Sequence, residues 1–118
     1  MIELEITLPE KVSTNKIYSG IHWRKRQELA ELFHEEFLDV KGVKVERYPV
    51  QIIYDFRFKG TALDTFNCVF MAKMLEDGMR GAGILTDDSP KYVRESVIRS
   101  GKGRSGEPDK VLVSICSL

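Results

Sequence analysis

An α/β domain of the α+β kind, with a mixed four-stranded sheet and two main helices in the order β-α-β-α-β-β, is the fold this sequence predicts. Three observations lead there. Four segments alternate apolar and polar residues, two longer segments repeat apolar residues every three or four positions, and Gly, Pro, Asn, Asp and Ser collect between them. The 118 residues suit a single domain spanning 1–118, since two domains would each be short of core.

Ile2, Leu4, Ile6 and Leu8 alternate with Glu3, Glu5 and Thr7, the pattern of a half-buried strand that Pro9 ends. Glu10 to Gly20, with Ser13, Thr14 and Asn15 at its centre, reads as a loop. From His22 to Asp39, the residues Leu29, Leu32, Phe33 and Phe37 fall on one helical face. That helix opens on Arg24, Lys25 and Arg26 and continues through Glu28, Glu31, Glu35, Glu36 and Asp39, so its charges oppose the helix dipole at both ends. A solvated face accounts for them, and so does an anionic partner at the basic start. Gly42 closes this region. Val50, Ile52, Tyr54, Phe56 and Phe58 then alternate with Gln51, Ile53, Asp55 and Arg57 in a long second strand. Asp64 stands as an N-cap before a second helix over Thr65–Arg80, with Gly81 and Gly83 as its stop. Phe66, Val69, Phe70, Met71, Met74, Leu75 and Met79 cover much of that helix's circumference, which predicts packing against the sheet. Thr86 to Pro90 is a turn cluster, and Tyr92–Ser100 and Lys110–Leu118 read as strands joined by the basic loop GKGRSGEPD.

With 42% hydrophobic and 31% charged residues the composition is that of an ordinary globular protein. The N-terminus MIELEITLPE lacks a basic region followed by an apolar run, and no stretch approaches a membrane span, so a cytoplasmic protein without membrane association is expected. Cys68 and Cys116 stand far apart, which excludes a zinc knuckle or a Cys-x-x-Cys redox pair and makes them small hydrophobes. His22 and His34 have no partner at metal-ligand spacing. Eighteen Lys and Arg balance eighteen Asp and Glu, a zero net charge that argues against a chain-wide grip on nucleic acid. The charges are unevenly placed, however. Glu76 to Asp88 holds four acids against Arg80, whereas Ser89 to Gly106 holds Lys91, Arg94, Arg99, Lys102 and Arg104 against Glu95 alone.

Three features carry potential chemistry: Asp64 before the second helix, Lys73 and Asp77 within it, and Asp87-Asp88 beyond it. Singly each has a plain structural reading, as a cap, a surface ion pair four residues apart and a turn. Together they place a lysine and several carboxylates about one otherwise apolar element.

The run LDTFNCVFMAKMLEDGMRGAGILTDDSPKYV resembles the core of the RusA family of Holliday-junction resolvases, particularly phage and prophage versions. In that family an acidic, Asn-containing motif opens a helix, a Lys and an Asp follow on it, and a Gly-hydrophobic-hydrophobic-x-Asp-Asp turn leads into a strand. LPEKVSTNKIYSGIHWRKR is similar to the family's N-terminal Leu-Pro, Asn and Tyr loop, and VLVSI to its last strand, so the likeness runs through nearly the whole chain. One departure stands out. The family's usual opening is Asp-x-Asp-Asn, but here Asp64 is followed by Thr65, Phe66 and Asn67, which puts Phe66 in the second Asp's place and three extra residues between Asn67 and Lys73. A replacement carboxylate would come from Asp77, Asp87 or Asp55, in that order. The arginine-rich approach to the motif is replaced by FKGTAL.

The resemblance implies a Mg²⁺-dependent, or Mn²⁺-dependent, endonuclease that resolves four-way junctions in branched DNA as a homodimer, one site per strand cut. It implies catalytic roles for Asp64, Lys73 and Asp88, with Asp64 and Asp88 as metal ligands, Asp87 and Asp77 as auxiliary ones, and Asn67 holding a carboxylate or a metal-bound water. DNA would be held by Asn15, Lys16, Arg24, Arg26, Lys91, Lys102 and Arg104. Two other readings stand beside this one: a junction-binding module of the same fold that does not cut, and a metabolic phosphohydrolase acting on small phosphate esters.

Overall fold

The computed structural model of the chain describes residues 1–20 and 22–118. Its elements are β1 (Ile2–Thr7), α1 (Thr14–Tyr18), α2 (Trp23–Glu35), β2 (Val50–Phe58), a 3₁₀ turn (Thr65–Cys68), α3 (Val69–Gly81), β3 (Val93–Lys102) and β4 (Lys110–Ser117). The α+β class and the mixed four-stranded sheet are as the sequence predicts, in the spatial order β1-β4-β2-β3. β2 and β3 run parallel because α3 carries the chain back between them, while β4 is antiparallel to both β1 and β2.

The alternation of β2 is obeyed in full. Val50, Ile52, Tyr54, Phe56 and Phe58 are buried, and the residues between them are only partly covered. Both helices therefore lie on one face of the sheet. Against that face pack Leu29 and Phe33 of α2, Phe37 beyond it, and Met71, Met74, Leu75 and Met79 of α3. The opposite face stays partly open and carries Asp55, whose carboxylate takes two hydrogen bonds from Arg57 at 3.0 and 2.7 Å. Cys68 is buried and Cys116 half-buried, both as free thiols.

Two local features differ from the sequence expectation. The polar loop after β1 contains the short helix α1, which forms because the Ser13 side chain accepts from Lys16 N while Ile17 is fully buried. The helix after Asp64 begins as a 3₁₀ turn, and the Asp64 side chain makes no capping hydrogen bond. A free N–H of the helix is met from elsewhere, since Thr14 Oγ1 accepts from Phe70 N at 2.9 Å, and in return Asn67 Oδ1 accepts from Asn15 N in the first turn of α1 at 3.0 Å. These two bonds pin α1 to the start of α3.

Phe37, just beyond α2, lies so close to Gly78 of α3 that a Cβ there would stand 2.7 Å from Phe37 Cδ2. Phe37 is 1% exposed, so a methyl added at Gly78 must push aside a ring packed in the core. Gly78→Ala should therefore destabilise the fold by about 1–3 kcal/mol despite its helix propensity. Gly81→Ala, whose Cβ would meet only His34 at 3.9 Å, should be neutral or stabilising. Urea unfolding of both variants checks this, and equal stabilities would contradict the close packing.

Candidate active site

The outer side of α3 is built by helical spacing: Phe66 in the 3₁₀ turn, then Val69, Lys73, Asp77 and Arg80, lie three or four residues apart and form one stripe. Towards its C-terminal end the stripe meets the turn that follows the helix. Lys73 Nζ lies 3.0 Å from Asp88 Oδ2 and 3.2 Å from Asp77 Oδ1. Arg80 reaches Asp88 at 3.3 Å, Asp77 at 3.6 Å and Asp87 at 3.8 Å. The turn is itself braced, since Asp88 N donates to Asp87 Oδ1 at 2.8 Å, and Thr86 N donates to Tyr48 Oη at 2.9 Å.

Sequence reasoning missed two members of this cluster. Glu76 sits on the sheet-facing side of α3 and accepts a 2.8 Å hydrogen bond from the buried Tyr54 Oη. Together with Lys73 it borders a small cleft of about 180 Å³ that reaches Ser96 and Ile98 on β3. Arg80 is the other. Glu76 lies among the apolar residues of α3 and Arg80 on its outer stripe, and their partners Tyr54, Asp87 and Asp88 come from β2 and the turn, which no local pattern reveals.

Electrostatics follow the geometry. Hydrogen bonding from Lys73 holds the Asp88 carboxyl below the usual aspartate range, and the same bond raises Lys73 above the usual lysine range. Burial pushes Glu76 up, partly offset by the Tyr54 hydrogen bond and by Lys73, and burial beside Glu76 pushes the Tyr54 phenol well up. Glu76, Asp77, Asp87 and Asp88 outweigh Lys73 and Arg80 by two charges, so the cluster attracts cations.

The structure does not bring Asp64 to this cluster. Leu63, its neighbour, accepts a hydrogen bond from Ser100 Oγ towards the C-terminal end of β3. Ser89, the neighbour of Asp88, accepts from Val93 N at the N-terminal end of that strand. The seven steps between Val93 and Ser100 amount to about 23 Å. Asp64 and Asp88 thus stand at opposite ends of α3, and one ion held by both is not the arrangement observed. Asn67 belongs to the Asp64 end, engaged with Asn15. Asp55 lies on the other face of the sheet from α3, bound to Arg57. The cations divide likewise. Lys91 follows the Asp88 turn and Lys102 closes β3 beside Phe58, whereas Arg104 lies with Glu5, Arg57 and Leu112 on the sheet face away from α3; Lys16 belongs to α1, Arg26 contacts α1, and Arg24 opens α2.

Among the described residues no three carboxylate, His or Cys side chains are close enough to share one ion as they stand. The donor chemistry nevertheless fits a hard divalent cation. Asp77, Asp87 and Asp88 all approach the single guanidinium of Arg80, and Asp77 Oδ1 is shielded from solvent with the ammonium of Lys73 and the guanidinium of Arg80 as its neighbours. A positive charge already occupies the place where three carboxylates meet. No family model and no curated protein matches this sequence.

The Lys73–Asp88 pair links stability to pH. Asp88 is depressed in the fold, so its contribution is complete above the ordinary aspartate range and disappears as pH falls through its lowered value; Lys73 is raised, so the pair persists up to the lysine range. Thermal melting from neutral to strongly acid pH should show Asp88→Asn losing less stability on acidification than the parent. Parallel profiles would contradict the pairing.

Proposed function

We propose that this protein is a Mg²⁺-dependent, structure-selective endodeoxyribonuclease that cuts branched DNA, four-way junctions included, and works as a homodimer. The observation that supports this most is Lys73, exposed on α3, held 3.0 Å from Asp88 and 3.2 Å from Asp77 beside the further carboxylates of Asp87 and Glu76. Phosphodiester hydrolysis needs charge relief on the phosphate, an activated water and a stabilised leaving oxygen. Mg²⁺, which Asp87 and Asp88 would hold with Asp77 behind them, supplies charge relief and water activation when bound. Lys73 is a compact cation with three donors, suited to grip a non-bridging phosphate oxygen or the departing 3′ oxygen. Asp77 and Asp88 keep its ammonium charged and aimed outward. Tyr54 fixes Glu76 from below, which leaves that carboxylate free to face the Lys73 side.

The resemblance to RusA-type resolvases supplies the substrate class, and the division of cations supplies a DNA path. Lys91 flanks the carboxylate cluster, and Lys16, Arg24, Arg26 and Lys102 lie toward the other end of α3, so a duplex arm running along α3 would meet positive charge at both limits, with Arg104 on the opposite face of the sheet. Two symmetric cuts in a junction require two sites related by a two-fold axis, which a homodimer provides. The separation of Asp64 from Asp88 favours a second reading, a junction-binding module that does not cut.

Cleavage separates the two. On a synthetic four-way junction with Mg²⁺, the parent should nick and Asp88→Asn should bind equally while nicking roughly 10²–10³-fold more slowly. Lys73→Met should fall by a similar factor. No nicking by the parent would leave the binding module, and preference for small phosphate esters over the junction would overturn both. Light scattering at micromolar concentration should give a dimer mass, and a monomer would contradict the symmetric mechanism.

A further inference from the structure

The surface at the Asp64 end of α3 exposes three large aromatic rings. Phe66 is 85% exposed, Tyr18 71% and Trp23 57%. Leaving one such side chain in water forgoes about 1.5–3 kcal/mol of burial, and a group of them marks an interaction surface where a single one would not. The three rings come from different elements that named contacts hold together. α1 is tied to the base of α3 through Thr14 to Phe70 and Asn15 to Asn67. α2 is tied to α1 by Arg26, whose Nη2 donates to the Ile17 carbonyl at 3.2 Å and whose guanidinium lies 5.8 Å from the Tyr18 ring centre. Arg24 lies 5.7 Å over the Trp23 ring in the same way.

We propose that Tyr18, Trp23 and Phe66 form a stacking platform for unpaired bases, with Lys16, Arg24 and Arg26 holding the adjoining phosphates. The inference rests on the nucleic-acid reading of the protein and adds the part of the substrate this end would take. Cations beside exposed rings, Arg24 over Trp23 and Arg26 over Tyr18, are the complement of an anionic chain that also presents flat π faces, which is nucleic acid with its bases unstacked. Paired duplex hides those faces. Single strands, and bases freed at a branch point, offer them. A protein partner of acidic, apolar character is the competing occupant. The two ends of the helix divide accordingly: at the Asp64 end its first turn carries the exposed Phe66 ring, and the carboxylates gather at the other end.

Trp23 is the only tryptophan in the chain, so its emission reports on the platform directly. The full-length protein is titrated in EDTA, where the proposed cleavage is silent, with oligo(dT), with a four-way junction and with a fully paired duplex of equal length. Oligo(dT) and the junction should quench Trp23, and the duplex should not. Phe66→Ala should weaken oligo(dT) binding by about 10-fold or more while Phe66→Tyr retains it, and duplex binding should be unchanged in both. Phe66 is exposed enough that neither change threatens the fold. Equal quenching by duplex, no quenching by any nucleic acid, or Phe66→Ala binding as the parent does would each overturn the platform. Quenching by a protein that never nicks a junction supports it and sinks only the nuclease reading, whereas nicking without quenching sinks the platform alone.

Discussion

Met71, Met74, Leu75 and Met79 press α3 onto Tyr54, Phe56 and the rest of the buried row of β2, and that apolar seam decides where every candidate functional residue lies. Because β2 and β3 are parallel, the connection between them must travel the full length of the sheet, so the residues before α3 and those after it are held at opposite ends. Asp64 and Asp88 are adjacent to the same helix and about one strand length apart for this reason. The close approach of Gly78 to Phe37 locks α2 onto the same helix.

One helix thereby serves two purposes with two sides. Its inner side is Met-rich core. Its outer stripe begins at the exposed Phe66 ring and ends in the ionic group of Lys73, Asp77 and Arg80, so the ring and the ionic group share a rigid support and keep a fixed spacing. Glu76 lies at the boundary. It is close enough to the core for Tyr54 to hold it and close enough to the stripe to sense Lys73. The zero net charge of the chain reflects the same division, since the carboxylates after Lys73 offset the cations around α1 and at the end of β3.

The strands were legible in the sequence because each buries one face, and a period of two in Ile2–Leu8, Val50–Phe58 and Lys110–Leu118 has no other economical explanation. Strand order and the opposition of Asp64 to Asp88 were not legible. Both are set by long-range pairing, and a motif quoted along the chain hides the length of the helix that separates its parts. α1 was hidden for another reason: five residues are too few to show a periodicity, and the signal that existed was Ser13 followed three residues later by Lys16 with Ile17 buried behind. Lys73 and Asp77 were visible as a pair at helical spacing, but the partners that give the pair meaning, Asp88, Arg80 and Glu76, required the turn to fold back.

On the proposed function, a divalent cation gathers at the Asp88 end of α3, away from the acidic position that opens the helix. Crystals grown with Mn²⁺ and measured at the manganese absorption edge test this without any assumption about substrate. An anomalous peak among Asp77, Asp87 and Asp88, with Arg80 displaced, is the predicted result. A peak at Asp64, or no bound ion at either end of the helix, would contradict it.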